Sequence, residues 1–76
     1  MENLLWVINA EYVDGYKIAV TFNDGLRKIV DLENHLSGEV FEPLKKKDCF
    51  TRFFVSDWTI EWENGADVAP EFLYSL

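Results

Sequence analysis

The sequence predicts an α+β domain: a three-strand antiparallel meander, short helical turns, a second hairpin and a short C-terminal helix, in the order βββ-α-ββ-α. Three observations carry this. Apolar residues recur at period two in two separate blocks of the 76-residue chain. Asp14-Gly15, Asn23-Asp24-Gly25 and Asn64-Gly65 fall between those runs, where turns require them. Pro70 stands at the head of a final apolar segment, where its missing N–H costs nothing to a helix.

From Leu4 to Tyr12 a first strand is predicted, with Leu4, Trp6, Ile8, Ala10 and Tyr12 on one face. Asp14-Gly15 then suits a type I′ turn, whose central residues need positive φ. The second strand sets Tyr16, Ile18, Val20 and Phe22 against a solvated face of Lys17, Ala19 and Thr21. After Asn23-Asp24-Gly25, residues Leu26 to Leu32 form the third strand.

The strand period ends after Asp31. Leu32 to Leu36 and Glu42 to Lys47 are expected as short helical turns separated by Gly38, too short to be stable unless docked on the sheet. Phe50 to Val55 and Trp58 to Trp62 read as a second hairpin. Trp58, Ile60 and Trp62 share one face; Asp57, Thr59, Glu61 and Glu63 share the other. Pro70 to Tyr74 closes the chain as a helix.

A chain of this length buries only about 60% of the surface its unfolded form exposes, so residues 1–76 are expected to make one domain. The 49% hydrophobic and 16% aromatic content supplies the core without disulfides. A single cysteine, Cys49, cannot form an intrachain bridge, which points to the cytoplasm. Met1-Glu2-Asn3-Leu4 lacks a basic n-region, and Leu4 to Ile8 is too short for a signal or a membrane span. Fourteen acids against seven bases give a net charge of −7, which repels a phosphate backbone; direct nucleic-acid binding is not expected. Residues 53 to 76 contain five acids and no base, an asymmetry that favours a basic protein partner.

No catalytic, cofactor-binding or metal-ligating residue is assigned, and the chain is not expected to be an enzyme. His35 is the only histidine and belongs to no Ser-His-Asp, Cys-His or multi-histidine arrangement that would supply a base held in place by a third group; it reads as an exposed or capping residue. Cys49, beside Lys45, Lys46, Lys47 and Arg52, could be a reactive thiolate, but the preferred reading is a small hydrophobe at the start of a strand. Glu61, Glu63, Asp57 and Asp67 offer oxygens to a hard cation, yet they match no calcium loop and fit a solvated sheet face. Asp67, three residues before Pro70, is expected to cap the final helix or bond in the turn before it.

Residues Trp62 to Tyr74, which follow W-x-N-G-x-D-x-x-P-x-x-L-Y, resemble the C-terminal signature of the bacterial domain-of-unknown-function family numbered 2442. Phe22-Asn23-Asp24-Gly25 is similar to that family's hairpin, Val30-Asp31-Leu32 to its strand exit, and Gly38 through Phe41 to Leu44 to its connecting turn. Glu63 departs from it, standing where many relatives have proline. The resemblance implies no activity, catalytic residue or cofactor. Some relatives are fused to a helix-turn-helix domain and others are encoded beside a second small protein, reminiscent of toxin–antitoxin pairs. The leading expectation is therefore an acidic protein-interaction module, antitoxin-like or regulatory. The alternative is a metal-dependent or other hydrolytic enzyme using Glu61, Glu63, Asp67 and His35. Exposed strand edges and aromatic content also allow a homodimer.

Overall fold

A central strand with apolar residues at every second position organises the molecule. In the computed structural model, which describes residues 4–76, β2 (Lys17–Phe22) lies between β1 (Val7–Asp14) and β3 (Arg27–Asp31) in an antiparallel meander. Ile18, Val20 and Phe22 are fully buried on the inner face, as their period predicts. Two 3₁₀ turns, Glu33–His35 and Glu42–Lys45, lead to the one-turn helix α1 (Lys47–Phe50). A short hairpin of β4 (Phe54–Val55) and β5 (Ile60–Glu61) precedes α2 (Pro70–Ser75). The α+β architecture is the predicted one. The reading of Met1-Glu2-Asn3 lies outside the described residues.

One core joins these pieces. Val7, Val20, Phe22, Leu44, Phe50, Ile60, Trp62 and Leu73 belong to a single buried cluster, and each large apolar side chain so buried contributes about 1.5–3 kcal/mol. Trp62 satisfies its indole N–H by donating to the Phe50 carbonyl at 2.8 Å. The Phe50 ring meets Tyr16 edge-on at 5.2 Å and lies 5.8 Å from Trp62.

Several details depart from the sequence reading. In β1 the inward residue near the start is Val7, 1% exposed, while Ile8 is 54% exposed. From Val7 to Asn9 the pairing advances two residues on β1 but one on β2, so a bulge inserts Ile8 and shifts the parity. Beyond it Ala10 packs on the core and Tyr12 reaches Phe50, as expected. The first turn also slips. Asp14 pairs with Lys17, leaving Gly15 and Tyr16 as the loop; Gly15 has φ +52°, and no non-glycine among the described residues has positive φ. Asp14 is therefore not a central residue of a type I′ turn. Ala19, predicted on the solvated face, is buried between Glu11 and Ile29, with the Arg27–Glu11 ion pair spanning β2 on the same side.

The second hairpin is shorter than predicted because Lys47–Phe50 turns into a helix, with Cys49 and Phe50 both donating their N–H to the Lys46 carbonyl. Cys49 thus sits exposed on α1 and does not begin a strand. Ser56 bonds Thr59 across a tight turn, so the alternation through Ile60 and Trp62 stops before Trp58, which is 51% exposed. Thr59, expected among the solvated residues, is buried and donates its hydroxyl to the Val68 carbonyl. Asp67 does not cap α2: the position before Pro70 is Ala69 with no side-chain cap, and Asp67 forms a backbone bridge with Glu61. The Asn64-Gly65 turn is as predicted, and Asn64 further donates to the Val40 carbonyl at 2.8 Å.

Candidate functional site

The strongest concentration of exposed chemistry lies where the start of the chain, the β2–β3 turn and α2 meet. Asn23 builds the first wall. Its Oδ1 accepts from Trp6 N–H at 2.9 Å, its Nδ2 donates to the Leu4 carbonyl at 2.9 Å, and its own N–H donates to the Trp6 carbonyl at 2.9 Å. One side chain therefore imitates a strand partner for residues 4–6 and sets Trp6 in place, 38% exposed.

The opposite wall comes from α2. Pro70 starts the helix and buried Leu73 anchors it, which leaves Glu71 and Tyr74 facing outward. The Tyr74 ring packs edge-on against Phe22 at 4.9 Å, and its hydroxyl donates to Asp24 Oδ2 at 2.7 Å. Asp24 Oδ1 accepts the Leu26 N–H at 2.9 Å. That backbone bond, with the Tyr74 hydroxyl second, holds the Asp24 carboxyl below its ordinary range, and the same carboxylate pushes the Tyr74 phenol up.

The result is a groove of about 720 Å³ whose lining includes Trp6, Asn23, Asp24, Glu71 and Tyr74. Two exposed aromatic residues, Trp6 and Tyr74, and two carboxylates, Asp24 and Glu71, line it. Among the described residues neither carboxylate is in an ion pair: the pairs formed are Arg27–Glu11 and Lys45–Glu42. Lys28 donates from Nζ to the Tyr74 carbonyl at 2.7 Å. Such a groove can take a cation, the ammonium or guanidinium lying against an aromatic face with a carboxylate opposite.

The residues singled out in sequence lie elsewhere and are not gathered into one site, although Asp67 is bridged to Glu61 and shares a groove with His35. Glu63 lines a cavity of about 120 Å³ with Cys49 and Arg52, whereas His35 and Asp67 line a different groove with Phe41 and Phe72. His35 is exposed and stacks edge-on on Phe72 at 5.1 Å. Glu61 is half-buried on β5. No group of three or more His, Cys, Asp or Glu among the described residues is placed to hold a metal ion. Sequence reading assigned Trp6 to a strand face and Asp24 to a turn, and missed that Tyr74, fifty positions on, would close a groove over them.

No helix of the described residues is long and apolar enough to cross a membrane. Searches among curated proteins and among solved structures give no match. A family sequence model, described as a protein of unknown function (DUF2442), matches residues 7–76, from the first residue of β1 through α2. The chain therefore belongs to the DUF2442 family.

Proposed function

We propose that this protein is a small acidic protein-interaction module that holds a basic partner through the Trp6–Asp24–Glu71–Tyr74 groove. The observation that carries the reading is a groove lined by two exposed aromatic residues and two carboxylates outside any ion pair among the described residues. A net charge of −7 adds long-range attraction for a basic surface and speeds encounter. The role is non-enzymatic and cytoplasmic, that of a regulatory or antitoxin-like partner to a small basic protein encoded nearby. Cys49 as the lone cysteine fits a reducing compartment, and the acidity disfavours direct contact with nucleic acid.

The test is a titration of the ¹⁵N-labelled chain with a capped tri-arginine peptide, followed by co-expression with the neighbouring gene product. Shifts confined to Trp6, Asp24, Glu71 and Tyr74 are expected. Glu71→Gln is expected to weaken binding several-fold more than the remote Glu63→Gln. Diffuse shifts, or equal losses for both variants, would overturn the groove as the docking site.

A further inference from the structure

β3 carries an unused edge whose charges are arranged symmetrically. Among the described residues it pairs with β2 alone, over five residue pairs from Lys17↔Asp31 to Thr21↔Arg27, without irregularity. Leu32 N–H donates to the Tyr16 carbonyl and Phe22 N–H to the Leu26 carbonyl, which fixes the phase of the ladder. Even-numbered residues of β3 exchange bonds with β2, so the backbone groups of Arg27, Ile29 and Asp31 point away from the sheet. No backbone bond among the described residues engages them. Ile29 is 55% exposed.

The other edge of the sheet is different. β1 has two irregularities, and its Val7 N–H already donates to the Trp58 carbonyl at 2.8 Å. Bulges and occupied donors protect an edge from pairing. Among the described residues no bulge and no backbone bond protects β3; the charged residues at its three outward positions, Arg27 and Asp31, are of opposite sign and equidistant from Ile29, while Lys28 between them is engaged with the Tyr74 carbonyl.

We propose that β3 pairs antiparallel with β3 of a second copy about a two-fold axis at Ile29, joining two meanders into one continuous sheet. In that register Ile29 faces Ile29 of the second copy. Arg27 falls opposite Asp31, and Asp31 opposite Arg27, so that each copy supplies both halves of the complementarity. The three outward residues exchange about six N–H···O bonds. Parallel pairing would instead set Arg27 beside Arg27 and Asp31 beside Asp31. The surface used is separate from the Trp6–Tyr74 groove, so this inference stands independently of the proposed function.

Sedimentation equilibrium of the full chain from ~10 μM to ~1 mM tests it, since an interface of a single strand pair is small and its dimer weak. The wild type is expected to move from monomer toward dimer across that range. Ile29→Pro removes only an N–H that faces off the sheet, which an edge strand tolerates; it is expected to stay monomeric with a near-native urea midpoint. Asp31→Arg sets like charges opposite twice per dimer and is expected to weaken association at least tenfold, while Arg27→Asp/Asp31→Arg restores it. The double variant shares with the single the loss of the Asp31 Oδ1 bond to Glu33 N–H, so its recovery separates pairing from folding. A wild type monomeric throughout, or a dimer indifferent to Ile29→Pro and Asp31→Arg, would overturn the proposal.

Discussion

The Tyr74 hydroxyl donates to Asp24 Oδ2 at 2.7 Å and so ties the last helix to the β2–β3 turn. Asp24 is held as a carboxylate first by the Leu26 N–H and then by this phenol, so its folded pKa lies below the ordinary value of 3.8. Its stabilising contribution is complete above 3.8 and lost as pH falls through the lowered value. Tyr74 is shifted the other way, above 10.0, so its contribution is complete below 10.0 and lost as pH rises through the raised value. Tyr74→Phe keeps the ring on Phe22 and deletes the bond. The difference in urea midpoint between wild type and Tyr74→Phe is expected to be flat between those limits and to shrink toward both extremes of pH.

Trp62 couples packing to a polar bond, since its buried indole fills the space beside Phe50 and donates to the Phe50 carbonyl. Trp62→Ala is expected to cost about 3–5 kcal/mol, enough to leave a domain of this size largely unfolded. Trp62→Phe retains much of the apolar volume but leaves that carbonyl unpaired, at about 1–3 kcal/mol. Equilibrium urea unfolding distinguishes the two.

Thr59 is the buried polar residue among those described, and its hydroxyl is spent on the Val68 carbonyl. Thr59→Val preserves the shape and strands that acceptor. A loss of about 1–3 kcal/mol is expected, with Thr59→Ser recovering most of it. Amide exchange should quicken around Val68 before it does in β2.

Gly25 has φ +92° with open space where a side chain would begin. Gly25→Ala therefore meets no neighbour, and its cost is that of the backbone conformation alone, about 1–2 kcal/mol. A thermal midpoint lowered by several degrees is the expected reading.

Much of this fold was legible because β2 alternates cleanly and its neighbours are joined by short turns. Ile18, Val20 and Phe22 are where period two puts them, and Pro70 starts the helix it was expected to start. The misreadings share a physical origin in the third dimension. The bulge at Ile8 reflects where β1 must meet β2 and the Trp58 backbone, a demand invisible in residues 4–12. Phe50 and Cys49 have strand-like neighbours, but burying Phe50 between Tyr16 and Trp62 turns that segment into a helix and leaves Cys49 outside. The groove was less legible still. Trp6, Asp24 and Tyr74 each look like a strand, turn or helix residue, and only the Asn23 and Tyr74 hydrogen bonds bring them together.

α2 has six residues, fewer than a helix needs to persist alone in water, yet its Leu73 is completely buried in the common core. During synthesis the meander leaves the ribosome before Leu73, whose side chain completes the common core. The molecule should therefore acquire its native structure in one late step once α2 has emerged, and not build it up strand by strand as translation proceeds.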